Sequence, residues 1–210
     1  MKNFINMKYS RNTLILILIS ALALNSCQED SSGVYKKGNT HKYKVNLTDS
    51  TINITKLELK IESSTFLLFQ TKINWVLAYS NTDGSSTETK STTGIVQTKE
   101  RLWLHPPRSG PLKKLEGFPF PEINFPLEKG KTWESSISVV SGFEELNGKV
   151  VKSRYTVKSI GDLWEISSKS EIEGYNKNHT AIFIFDMNSG FKSMTFFIDN
   201  KLFIEIAEII

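Results

Sequence analysis

The 210-residue chain holds one cysteine, three histidines and six prolines, and all six prolines fall between Pro106 and Pro126. A single cysteine excludes a disulfide within the chain. His41, His105 and His179 are scattered. No two stand at i, i+4, and no His-Glu-x-x-His string or Cys/His cluster supplies metal-ligand spacing. The nucleophile-elbow string G-x-S-x-G is missing, as are Gly-rich phosphate loops. Neither a metal nor a cofactor is therefore expected, and the reading is of a protein that is not an enzyme. An excess of charge of one sign is lacking too. The formal net charge of +4 reflects 26 Lys+Arg against 22 Asp+Glu. Three of those basic residues, Lys2, Lys8 and Arg11, lie in the first 26 positions, which hold no acid, so the remainder carries 23 against 22. A nearly neutral chain without a basic stripe argues against nucleic acid as a partner. No apolar run reaches the roughly twenty residues that a membrane-spanning helix needs.

What is present starts at the N-terminus. The basic residues precede Leu14–Leu24, an apolar stretch of eleven residues, and Leu24-Asn25-Ser26-Cys27 follows. Basic region, short apolar core and small residues form the secretory pattern. The last four residues resemble a lipobox, whose cysteine is acylated and becomes the first residue of the mature protein. Cys27 is thus the expected lipidation site, and acyl chains on it the expected link to a membrane. Cys27-Gln28-Glu29-Asp30 is similar to the acidic export tag of Bacteroidetes surface lipoproteins. The expected organisation is a signal peptide over 1–26, an acylated cysteine and polar Gly/Ser-rich tether over 27–40, and one β-rich domain over 41–210. The expected location is the outer membrane, lipid-anchored.

Beyond the tether, short apolar runs alternate with turn clusters, as antiparallel β structure requires. Ile52 and Ile54 sit on one parity and Leu57, Leu59 and Ile61 on the other, so a bulge near Thr55 is needed to keep them on one face. Phe66–Phe69 is wholly apolar. Ile73, Trp75, Leu77 and Tyr79 alternate cleanly, and Asp83-Gly84 marks a hairpin turn. Trp133–Val140, the Asn147-Gly148 turn and Val151–Val157 make another pair. Thr180–Phe185 is apolar on both parities, which predicts a strand covered on both faces. Asp186–Gly190 and Asp199–Lys201 then turn the last strands into a meander. The fold class is all-β with room for one short helix, before Trp133 or at the C-terminus. The architecture is a curved antiparallel sheet: a half-barrel, an open barrel or a sandwich.

The proline-rich middle departs from this rhythm. Proline offers no N–H to a ladder and disfavours helix in the residue before it. The sequence thus predicts an irregular connection from His105 to Pro126, an ordered strap lying on the sheet. Glu100–Arg108 and Pro126–Trp133 are the densest local signals. Trp103, His105 and Arg108 read either as the lip of a binding groove, with the Arg108 fork suited to carboxylate or phosphate, or as packed struts. Phe118, Phe120, Phe125 and Trp133 are the further candidate contacts for an apolar ligand, and equally the apolar anchors of the strap. Asp49-Ser50-Thr51 resembles a short O-glycan acceptor and reads equally as a turn.

The Trp-x-His-Pro-Pro-Arg stretch (103–108), Pro126-Leu127-x-x-Gly130-Lys131-x-Trp133 and Phe185-Asp186-x-Asn188-x-Gly190-Phe191 together resemble uncharacterised lipoproteins of Bacteroidetes, over most of residues 95–200. Some of these resemble, in turn, the half-barrel lipoprotein carriers LolA and LolB. The resemblance implies a curved sheet able to hold an apolar ligand and transfers no catalytic residue. No helix is expected to plug the concave face. The expected function is non-enzymatic: a lipid-anchored envelope protein binding an apolar ligand or an envelope protein. A hydrolase of cell-surface polymers and an accessory subunit of an outer-membrane complex are the alternatives.

Overall fold

Twelve strands follow one another in a computed structural model that describes residues 33–48, 51–65, 70–139 and 144–209. They are β1 (Thr40–Leu47), β2 (Ile52–Thr65), β3 (Thr71–Asn81), β4 (Ser86–Gln97), β5 (Arg101–Leu104) and β6 (Glu122–Asn124). The second half supplies β7 (Thr132–Ser138), β8 (Val150–Ile160), β9 (Leu163–Ile172), β10 (His179–Asp186), β11 (Gly190–Ile198) and β12 (Lys201–Glu208). The signal stretch, Cys27, the acidic tag, Asp49-Ser50 and Phe66–Phe69 lie outside the described residues.

All twelve strands join one antiparallel sheet in the order β6-β5-β4-β3-β2-β1-β12-β11-β10-β9-β8-β7. Each half is a meander, and β1 pairs with β12 to join them, Tyr43 opposite Glu208 and Val45 opposite Ile206. The sheet curls into a nearly closed barrel, which excludes the sandwich. Its free edges, β6 and β7, face each other without a shared ladder. Side chains span that seam: Lys131 Nζ donates to Asn124 O (2.8 Å) and Pro126 O (2.9 Å). Tyr155 donates its hydroxyl to Phe120 O (3.0 Å), and its ring stacks on Trp133 at 5.0 Å.

The inward parity of each strand builds the core. Leu57, Leu59, Ile61, Ile73, Trp75, Leu77, Tyr155, Val157, Ile166, Phe183, Phe185, Phe196, Ile204 and Ile206 belong to one cluster of buried side chains. The register of β2 against β3 shifts between Ile54 and Lys56. This bulge puts Leu57, Leu59 and Ile61 inward. Asp199 and Asn200, with φ of 49° and 64°, form the tight turn between β11 and β12.

Four expectations need correction. The strap is not irregular throughout: Gly110–Gly117 is a 3₁₀ helix, and Glu122–Asn124 pairs as β6. That helix also plugs the concave face, with Leu112 and Leu115 fully buried in the strand core. It therefore lies within the strap, whereas the C-terminus is strand. Strand β10 is covered on one face only, because Ala181, Phe183 and Phe185 are buried while Ile182 and Ile184 are half-buried. The compact unit begins at Gly33 rather than at residue 41. Tyr35 is 4% exposed and already part of the core; its hydroxyl accepts the Phe191 N–H at 3.0 Å. Gly190, at φ +93°, must be glycine for that contact, since a Cβ there would stand 2.8 Å from the Tyr35 hydroxyl.

Candidate functional site

The strap leaves β5 at Leu104 and lies along the inner face of β3 and β4. Trp75 Nε1 donates to His105 O (2.9 Å), and the Arg108 N–H donates to Ser91 Oγ (3.2 Å). His105 is therefore held by its backbone from the sheet. Its ring packs edge-on against Trp103 (5.6 Å) and against Phe120 (4.8 Å), and Trp103 meets Phe120 at 5.6 Å. Three of the sequence candidates thus form one aromatic cluster.

Beside that cluster lies a carboxyl that no local sequence pattern singles out. Glu116, in the last turn of the 3₁₀ helix, has a side chain 5% exposed, with Oε1 3.3 Å from His105 Nε2 and 2.8 Å from Arg108 Nε. The arginine approaches as an ion-pair partner and is not aligned for a hydrogen bond. Burial pushes the Glu116 carboxyl up to about 7, against the opposing pull of Arg108. Burial also depresses the His105 imidazole to about 4, with Arg108 adding to the effect and the Pro106 carbonyl resisting it. His105 Nδ1 lies 2.8 Å from Pro106 O. A carbonyl only accepts, so Nδ1 carries the hydrogen and Nε2 presents a lone pair to Glu116. Burial favours the neutral form of both groups, and Glu116 Oε1 makes no hydrogen bond to the imidazole beside it.

The other candidates lie elsewhere. Phe118 stacks on His179 (4.2 Å) and on Phe203 (5.5 Å), under the end of the barrel that the strap covers. Phe125 meets Phe185 at 6.2 Å near the opposite end, and Trp133 belongs to the seam. The seven candidates therefore divide among four places, with Trp103, His105, Arg108 and Phe120 at one.

His179 is buried at the start of β10, and its Nδ1 donates to Gly117 O at 2.7 Å. The approach is close: a Cβ at Gly117 would come within 2.8 Å of a Leu146 methyl and 3.2 Å of the imidazole. Above this contact opens a cleft of about 350 Å³ between the strap helix, Leu146, Tyr175 and Lys177. A larger depression of about 1050 Å³ crosses the outside of β7–β11 and is lined by serines and charged groups such as Glu134, Lys152, Arg154 and Lys169. It is open, and Arg154 there is engaged by Glu134 at 2.6 Å. Pairs this exposed are screened by solvent and add little to stability. Among the described residues, no group of three or more His, Cys, Asp or Glu could hold a metal ion, and no helix is long and apolar enough to cross a membrane.

No protein-family model matches the chain. No curated protein matches it. Among solved structures it is similar to a protein assigned as a lipoprotein from Parabacteroides distasonis, with 11% identity and a TM-score of 0.43, covering 86% of this chain and 98% of that one. It is also similar to a protein assigned as exported, with a YmcC-like fold, from Bacteroides fragilis. There the identity is 7% and the TM-score 0.40, over 82% of this chain and 94% of that one.

Proposed function

We propose that the protein is a lipid-anchored protein of the cell envelope that acts by binding, and that it presents the strap-covered end of its barrel away from the membrane. The observation that carries this reading is where the chain enters the fold. Tyr35 docks beside the β10–β11 turn, and its N–H donates to Gln97 at the end of β4 (3.0 Å). In an antiparallel barrel that end is opposite the one from which β5 releases the strap. Seven residues separate Cys27 from Tyr35, a reach of at most about 28 Å over the eight Cα–Cα steps. A domain tethered that closely rides near the bilayer and has one end accessible from outside. The acidic residues after Cys27 favour the outer membrane and its outer surface.

The filled interior bears on what is bound. Leu112, Leu115 and Phe118 occupy the space that a LolA-like carrier would offer to an acyl chain. The remaining recess is the cleft at the strap-covered end. A hydrolase acting through Glu116 would need that carboxyl at a reachable surface, and its side chain is only 5% exposed.

The anchor is tested by Cys27→Ala. Two or more acyl chains hold a protein stably where one binds marginally. The wild-type chain should therefore incorporate labelled palmitate and sediment with membranes, and the variant should do neither. A variant that keeps the label sinks the anchor.

A further inference from the structure

We infer that the cleft at the strap-covered end is a binding site for a small amphiphile: one anionic head, carboxylate or phosphate, on a short apolar body. The site stands on its own geometry and does not depend on the anchor. Its floor is apolar and rigid. Phe118, Leu146 and Ile198 line it with the Tyr175 and His179 rings, and His179 is fixed between the Phe118 ring and the Gly117 carbonyl. Its rim is cationic. Lys113 and Lys114 project from the 3₁₀ helix and Lys177 from the loop before β10, all three exposed; Glu145 is the one carboxylate among the described lining residues, and Asp199 acts on His179 from nearby.

Charge and shape together select the ligand class. Lysine ammonium groups on flexible stems hold a carboxylate or phosphate as point charges, without demanding the planar fit of arginine. The Lys177 ammonium stands 5.9 Å from the centre of the Tyr175 ring, so rim and floor are continuous. A volume of about 350 Å³ lies at the small end of ligand sites, about 300–1,000 Å³. It admits a short chain or a fused ring pair and excludes a whole diacyl lipid. Burial lowers the pKa of His179, the Gly117 carbonyl resists, and Lys177 and Asp199 pull in opposite directions. The neutral ring has its only N–H on Gly117, and Nε2 is left as an acceptor. The anionic head is therefore expected at the lysines rather than at the histidine.

The test uses the mature chain from residue 27 with Cys27→Ser, since every residue of the core cluster lies at or beyond Tyr35. Isothermal titration compares octyl phosphate, 1-naphthyl phosphate and the neutral octyl glucoside, each below its micelle concentration. At least one phosphate should bind with one-to-one stoichiometry and at least tenfold more tightly than octyl glucoside, and the better of the two identifies an aliphatic or an aromatic body. Lys114→Glu with Lys177→Glu, both exposed and compatible with folding, should weaken that binding at least tenfold while leaving the melting temperature unchanged. Either of two kinds of result, from ligand comparison or from charge reversal, overturns the inference. One is octyl glucoside binding as well as the phosphates, or no phosphate binding at 1 mM. The other is a charge-reversed double variant within twofold of wild type.

Discussion

Phe118→Ala is expected to destabilise the domain by about 3–5 kcal/mol, the range for removing a fully buried phenylalanine. For a domain of this size, 1 kcal/mol moves the melting temperature by roughly 2–4 °C, so a loss of roughly 6–20 °C should follow. The ring is 1% exposed and lies at the centre of an aromatic stack, against His179, Phe203 and the edge of Phe196 at 5.5 Å. Phe118 also ends the 3₁₀ helix, donating its N–H to Leu115 O at 3.0 Å. Loss of the ring removes the side chain that ties the strap to β10, β11 and β12 together. Phe118→Leu should recover part of the loss by refilling the volume. Thermal melts and urea titrations measure both variants. A cost below about 1 kcal/mol for the alanine would show that the strap is an ornament on a self-sufficient barrel.

The second large effect concerns Glu116 and His105. The folded pKa of Glu116, about 7, lies above its ordinary 4.5. Its contribution to stability is therefore fully present below pH 4.5 and lost as pH rises through 7. His105 behaves oppositely. Its folded value of about 4 lies below 6.5, so its contribution is present above pH 6.5 and lost as pH falls through 4. Between pH 4.5 and 6.5 the unfolded chain holds one proton on the imidazole and the folded chain holds one on the carboxyl. Equal proton counts give no slope, and the wild type should be nearly flat from this pair.

Each single variant exposes the other group's slope. Glu116→Gln should lose stability relative to wild type on acidification from pH 6.5 to 4, by about 3 kcal/mol at about 1.4 kcal/mol per pH unit. His105→Gln should instead lose a similar amount as pH rises from 4.5 to 7. Urea midpoints at four pH values resolve this. Slopes of the same sign in the two variants would contradict the opposite shifts of the two groups.

How much of this was legible in the sequence depends on which force set each element. Alternation fixed the strands, because one face meets the core and the other water. The parity change at Thr55 even revealed the bulge. The strap helix was hidden for a physical reason. Leu112 and Leu115 are three residues apart, the 3₁₀ repeat, and the single turn between them shows no 3.6-residue pattern among the lysines of Gly110-Pro111-Leu112-Lys113-Lys114-Leu115. The apolar outer parity of β10 misled because Ile182 and Ile184 remain half-buried on the solvent side. Tyr35 sits in a polar stretch that reads as tether, and its burial comes from partners 62 and 156 residues away. Glu116 carries no local signal, since its surroundings are assembled by the strap's path. His179 alone was within reach: it shares the inward parity of Ala181, Phe183 and Phe185.

The seam has a consequence for neighbouring copies of the molecule. A sheet that stops short of closure leaves two strands able to template a stranger's backbone. Here one of them, β6, is three residues long and stands between Pro121 and Pro126, neither of which can offer an N–H. The Lys131 ammonium already occupies the carbonyls of Asn124 and Pro126. The other, β7, is seven residues whose outward positions include Glu134 and two serines. Should the proposed anchor confine copies to a bilayer, they would collide far more often than the same number in solution, and an edge blunted in this way would let them collide without polymerising.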